Sequence, residues 1–251
     1  MKKLLIFIFL IYTLDSFSQY FQDEKIMDTS LISPWISNSL DNYEGVYFFG
    51  ISEYESKAIL CIDDKIVEFQ THNAGKEIYV NGEFAGWERN IENYTNVKII
   101  GSKFFSDQTN GEFTIYTYNN KKEKCLKLNT PPINVYNDEP ELGSFDNKEK
   151  TIYISGNFPI TKFDILPLEK LDKYSQFDLK IMRNEIFARY GYKFKAGGQM
   201  DKYFQHQGWY RADTNNVNNF LSNIEKKNIE NIKSIESKKA HNRVARPANK
   251  Q

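Results

Sequence analysis

The chain is poor in the residues that build metal centres and disulfide frameworks. It has 2 cysteines and 3 histidines in 251 residues. The histidines, His72, His206 and His241, are scattered, and no paired cysteine spacing accompanies them. That excludes the common zinc patterns, and no metal or cofactor is expected. Nucleophile elbows, zinc-protease helices, phosphate loops and dinucleotide fingerprints are absent as well, so no catalytic residue is assigned and the expected role is not enzymatic. Long apolar runs are also missing. The longest, Leu4 to Leu14, has 11 residues, against about 20 for a membrane-crossing helix. No transmembrane span is expected.

That short run follows Lys2 and Lys3 and precedes Ser16 and Ser18. A basic start, a short apolar core and small residues form the pattern of a secretory signal peptide. The expectation is cleavage after residue 18, leaving 233 residues, and export to a periplasmic or extracellular setting.

Charge balances overall but not locally. From Gln19 to Leu166 there are 14 Lys+Arg and 23 Asp+Glu, a net of −9; from Pro167 to Gln251 there are 17 and 9, a net of +8. This asymmetry suggests a boundary near residue 166. Either the halves face each other, or the basic half meets an acidic surface, or two independently soluble domains show no mutual attraction. No pattern points to nucleic acid.

Residues 45–128 alternate short β-branched and aromatic runs, such as Ala58–Ile62 and Glu112–Tyr118, with turn signals at Asp63-Asp64, Asn73-Ala74-Gly75, Asn81-Gly82, Asn110-Gly111 and Asn119-Asn120. This reads as an antiparallel β meander closing into a small barrel or sandwich over residues 42–157. Tyr47, Trp87, Phe104 and Phe105 belong either to its core or to a ligand cavity. Cys61 and Cys125 sit in two of the strand-like segments. An exported protein can pair them, closing a 65-residue loop that restricts the unfolded chain by roughly 4 kcal/mol; equally, both can be buried thiols. Residues 129–165 read as a link with one strand at Thr151–Ile154, and their apolar end, Phe158 to Leu166, predicts that the halves dock.

The basic half reads as helical. Ser175 to Asp178 resembles a capping box, Leu179, Met182, Ile186 and Tyr190 recur at helical spacing, and Gly191 offers a left-handed stop with Tyr192 folding back on Phe187. A short second helix covers Gln199–Gln205. A third begins at the capping box Ser222 to Glu225 and turns Ile224, Ile229, Ile232 and Ile235 inward. The fold class expected is therefore α+β, a β domain followed by a three-helix module over residues 158–236, with a disordered basic tail at 237–251.

The run Arg183-Asn184-Glu185-Ile186-Phe187-Ala188-Arg189-Tyr190-Gly191-Tyr192-Lys193-Phe194 resembles the signature of the YARHG domain family. Tyr203-Phe204, Trp209-Tyr210 and Leu221-Ser222 continue the likeness. Phe187 stands at the signature's Tyr position and Tyr190 at its His position, which argues against acid–base chemistry by this motif. The resemblance implies an exported cell-envelope binding protein, with peptidoglycan or another anionic envelope polymer as partner; the alternative is a cell-wall hydrolase, or an inhibitor of one, with its site between the two halves. Arg183, Glu185 and Arg189 are the charged residues of the signature. In one reading they form an Arg–Glu network that, with aromatic pins, holds a small domain. In the other, Arg183, Glu185, Arg189, Tyr192, Trp209 and Tyr210 bind a ligand, the arginine supplying forked donors and the aromatics flat faces for a sugar or acidic peptide.

Overall fold

A computed structural model describes residues 29–49, 56–63, 66–130, 141–146 and 150–244. The segment read from the sequence as a signal peptide, residues 1–18, lies outside these residues. Among the described residues, ten antiparallel strands are followed by helices, an α+β arrangement. The strands are β1 (Ile32–Pro34), β2 (Gly45–Phe49), β3 (Ser56–Asp63), β4 (Ile66–Val80), β5 (Glu83–Asn93), β6 (Lys98–Ile100), β7 (Lys103–Phe105), β8 (Asn110–Tyr118), β9 (Lys121–Leu128) and β10 (Glu141–Phe145). They pair in the order β5-β4-β3-β2-β10-β9-β8-β7-β6, with β1 added to β8. Two meanders are thus joined by the β2–β10 seam. The sheet curls on itself: Phe69 of β4 meets Phe104 of β7 with ring centroids 4.8 Å apart. One core of Tyr43, Tyr47, Phe69, Phe104, Phe113 and Leu126 fills the curl. Tyr47 and Phe104 belong to this core, whereas Phe105 points to solvent. The side chain of Trp87 lies outside the described residues.

Several sequence expectations need correction. Asn81-Gly82 and Asn119-Asn120 do turn with positive φ, but Asn73 to Gly75 runs inside β4, where the extra residues are absorbed as a register shift against β5. Asn110-Gly111 opens β8. There the glycine serves close approach, because a Cβ would stand 2.2 Å from the Lys127 carbonyl oxygen on β9. Thr151 to Ile154 is no strand; residues Lys150–Tyr153 form a 3-10 turn. The supposed link instead contributes β10 to the centre of the sheet. No disulfide forms. Cys61 on β3 and Cys125 on β9 are separate buried thiols, with β2 and β10 between them. Strands lie about 4.8 Å apart, so the gap exceeds disulfide reach.

The helices are α1 (Leu168–Leu171), α2 (Gln176–Arg189), α3 (Gln199–Gln205) and α4 (Asn223–Val244). The short α1 is an addition to the three expected. Ser175 Oγ accepts from Asp178 N–H at 3.1 Å, Gly191 has φ +76°, and Tyr192 N–H reaches the Phe187 carbonyl. Leu179, Met182, Ile186 and Tyr190 pack with Ile229, Ile232 and Ile235 of α4. Over residues 237–244 the tail expectation is corrected, since α4 carries helix to Val244 and Lys238 pairs with Asp172 at 3.1 Å; residues 245–251 lie outside the described residues.

The two halves dock through an apolar layer. Residue alternation puts Leu60 and Phe69 into the curl and turns Ile59, Cys61, Glu68 and Gln70 outward. Phe163, fully buried, packs with Val46, Ile59, Cys61 and Ile224 on that outer face. This is why Ala58–Ile62 reads as a continuous apolar run: β3 is covered on both sides. Leu166 continues the run into the helical core. Glu68 accepts from Asn223 N–H (2.6 Å) and Ile224 N–H (3.2 Å), so a carboxylate of the sheet caps the first turn of α4.

Burial sets the alkaline limit of this fold. The Tyr47 and Tyr190 phenols and the Cys61 thiol are pushed up by burial, and the Cys125 thiol is pushed up to about 12. A folded-state pKa above the unfolded one stabilises fully below the unfolded value and loses that contribution as pH rises. Stability should therefore decline above about pH 8.5, where unfolded thiols ionise, and more steeply above about pH 10, where tyrosines follow. Urea melts at pH 7, 9 and 10.5 check this; equal midpoints would contradict it.

Candidate functional site

A cavity of about 200 Å³ opens where the outer face of the sheet meets the helical module. The sheet contributes Lys57 and Ile59 of β3 and His72 of β4; the module contributes Lys162, Arg189, Tyr190, Trp209 and Glu225; and the turn between them contributes Tyr153 to Ser155.

At its floor lies a buried lysine. The Lys162 side chain is 2% exposed. Its ammonium donates to Gln70 Oε1 at 2.8 Å and to Tyr190 Oη at 3.1 Å, and stands 3.5 Å from Glu225 Oε2. Tyr190 donates to the same Glu225 oxygen at 2.7 Å. Burial opposes the lysine's charge, but Glu225 and Tyr190 outweigh it and hold the ammonium well above its ordinary pKa. Burial, followed by the Glu225 carboxylate, keeps Tyr190 neutral. Gln70 Nε2 donates onward to the Phe220 carbonyl at 2.7 Å, and His72 Nε2 lies 2.6 Å from Gln70 Oε1. Glu225 also closes the α4 capping box, accepting from Ser222 N–H at 3.1 Å. Its other oxygen, Oε1, is buried without a hydrogen-bond partner.

Beside this network, Arg189 clamps the strap that joins the halves. Its guanidinium donates to the carbonyls of Ser155 (2.9 Å) and Phe158 (2.7 Å), to Thr161 Oγ1 (2.9 Å) and to Glu185 Oε1 (2.7 Å). Glu185 in turn accepts from the backbone of Asn157 and Phe158, both at 2.7 Å. The strap must pass so close that a Cβ on Gly156 would stand 2.1 Å from the Glu185 carboxyl carbon, and the glycine adopts φ +111°.

The six residues singled out in the sequence do not share one groove. Only Arg189 and Trp209 line the cavity. Glu185 stands behind Arg189 as its partner. Arg183 forks onto Glu236 of α4 (2.8 and 3.3 Å). Tyr192 and Tyr210 sit together just beyond the C-terminal end of α2, outside the cavity lining, joined by a 2.6 Å bond from Tyr210 Oη to the Tyr192 carbonyl. Sequence reasoning missed Lys57, His72, Gln70, Lys162 and the central position of Tyr190. Lys162 had a signal, being the one basic residue inside the apolar run Phe158 to Leu166.

Trp209 is half-buried and meets Phe204 edge-on at 6.0 Å. Trp209→Ala should therefore cost less than the roughly 3–5 kcal/mol of a fully buried aromatic. Thermal melts of that variant check the point, and a loss in the full range would make Trp209 a core pin instead.

The architecture is a curled antiparallel sheet whose outer face carries a small helical module clamped by an Arg–Glu pair. That module matches a known family: the model of the YARHG domain matches residues 161–237. No curated protein and no solved structure matches the chain. No described helix is long and apolar enough to cross a membrane.

Proposed function

We propose that this chain is an exported, cell-envelope-associated binding protein that holds peptidoglycan or another anionic envelope polymer without catalysing a reaction. The YARHG match over residues 161–237 carries this reading. The net charge of +8 beyond Pro167 supports an acidic polymer as partner, and the leader pattern of Lys2, Lys3 and Leu4 to Leu14 supports export. In the cavity, Lys162 is committed to Glu225, and Arg189 to Glu185, an arrangement suited to holding geometry rather than moving protons.

Co-sedimentation of the chain lacking residues 1–18 with purified cell-wall sacculi tests the proposal. Retention at low salt that weakens as salt rises is expected. A folded protein that stays in the supernatant at low salt would overturn it. The position of the cavity between the halves favours one second reading, a wall hydrolase or an inhibitor of one. Zymography on wall substrate, and inhibition of an added wall hydrolase, separate that reading from simple binding.

A further inference from the structure

The Glu225 side chain, fully buried, is satisfied at one oxygen only. Its Oε2 accepts from the Tyr190 hydroxyl at 2.7 Å and the Ser222 N–H at 3.1 Å, and faces the Lys162 ammonium at 3.5 Å. Its Oε1 has no hydrogen-bond partner among the described residues, and Glu225 lines the cavity between sheet and module. A buried acceptor without a donor is costly, so this oxygen calls for an O–H or N–H from whatever enters. The donor that fits is neutral. Lys162 already answers the carboxylate, and an ammonium at Oε1 would set a second cation against the same buried group, with little water to screen the two. The walls narrow the class further. Half-buried Tyr153 and Trp209 line the cavity with buried Ile59 and Ile154, which gives it aromatic and aliphatic surface. His72 and Ser155 set polar groups among them. A ring with a flat C–H face and hydroxyls around its edge meets walls of both kinds, whereas a hydrocarbon or a compact ion meets only one. The volume, about 200 Å³, is below the roughly 300–1,000 Å³ of pockets for drug-sized ligands. There is room for one ring, not for a chain.

We propose that this cavity binds one neutral sugar ring, a pyranose that donates a hydroxyl to Glu225 Oε1 and rests a C–H face on Trp209. The ring is either a free sugar or the end unit of a glycan. The proposal deepens the envelope-binding reading above and rests on it for the source of the sugar, though not for the geometry of the site.

Calorimetric titration of the chain with the methyl glycosides of glucose, galactose, mannose and N-acetylglucosamine is the test. At least one should bind. The amino sugar and the uronate of the same configuration, and cyclohexanol, should each bind at least about tenfold more weakly. The double variant Lys162→Met, Glu225→Gln should weaken the glycoside at least about tenfold: the amide oxygen stays with Ser222 N–H, and an amide nitrogen takes the place of the charged acceptor Oε1. A second readout does not depend on that variant folding. The glycoside should shift the tryptophan emission of the wild-type chain and leave that of Trp209→Phe unmoved, a change at a half-buried position that keeps an aromatic face. A disaccharide of the sugar that binds separates the two sources: affinity equal to the monosaccharide's places a glycan end in the cavity, and exclusion leaves the free sugar, either result upholding the class. Absence of binding by all four glycosides, a charged counterpart or cyclohexanol within tenfold of the neutral sugar, wild-type affinity in the folded double variant, or an emission shift that persists in Trp209→Phe overturns the assignment. Sacculus retention without glycoside binding sinks the cavity assignment alone; glycoside binding without retention sinks the envelope reading alone.

Discussion

Lys162→Ala should destabilise the protein by about 3–5 kcal/mol, the range for breaking a buried ion pair from one side. The variant leaves the Glu225 carboxyl group fully buried without its cation, and removes a donor from Gln70 and from Tyr190. Native stabilities are only about 5–15 kcal/mol, so the loss is a large share of the whole. The cause can be separated from lost packing. Lys162→Met with Glu225→Gln removes both charges, keeps stem volume, and leaves an amide oxygen for Ser222 N–H. This double variant should recover much of the loss, because replacing a buried pair with neutral groups is often close to neutral. A double-mutant cycle from urea denaturation measures the coupling. Additive effects would mean that the two charges do not interact in the folded state.

Arg189→Ala should cost a similar amount, about 3–5 kcal/mol, by a different route. Four bonds from the guanidinium are lost, and Glu185, 1% exposed, is left without its arginine. The carbonyls of Ser155 and Phe158 lose their donor in the same step. Arg189→Lys should not rescue it, because a single ammonium cannot reach four acceptors spread around a planar fork. Glu185→Gln should be milder, since an amide oxygen still accepts from the Asn157 or Phe158 backbone. Urea melts of the three variants check the order. If Arg189→Lys melts like the wild type, the fork geometry is not what holds the strap.

The two arginine–glutamate readings drawn from the sequence meet in this prediction. Glu185 and Arg189, four apart on α2, were recognisable as a pair from spacing alone, and so were the Ser175 cap, the Gly191 stop and the buried isoleucines of α4. These features are local, fixed by a few neighbouring residues and by helix geometry. The Asn-Gly pairs show where local signals fail. Asn81-Gly82 turns the β4–β5 hairpin, whereas the glycine of Asn110-Gly111 answers to the Lys127 carbonyl on another strand, and a dipeptide cannot announce a distant neighbour. The same limit hid β10, whose pairing with β2 joins positions about a hundred residues apart, as Ser144 lies opposite Phe48. It hid the cavity most of all. Lys162 and Gln70 are 92 positions apart, and Tyr190 and Gln70 are 120 apart. Tyr190 was visible as a departure from the family signature, and that departure argued against acid–base chemistry. Its phenol instead bridges a buried cation and a buried carboxylate, a role that only the docked halves define.

Sheet and module form one body, joined by the apolar layer around Phe163, with charge acting inside it as buried pairs rather than as attraction between exposed surfaces. Exposed charge pairs contribute little and are screened by salt, whereas burial is not. Small-angle scattering of the chain between ~0.01 M and ~1 M salt, over which the screening length falls from about 30 to about 3 Å, tests this most directly. The radius of gyration should stay constant across the series. A clear increase with salt would show that long-range attraction between the −9 and +8 halves holds them together, and a profile of two separated bodies at every salt would contradict docking altogether.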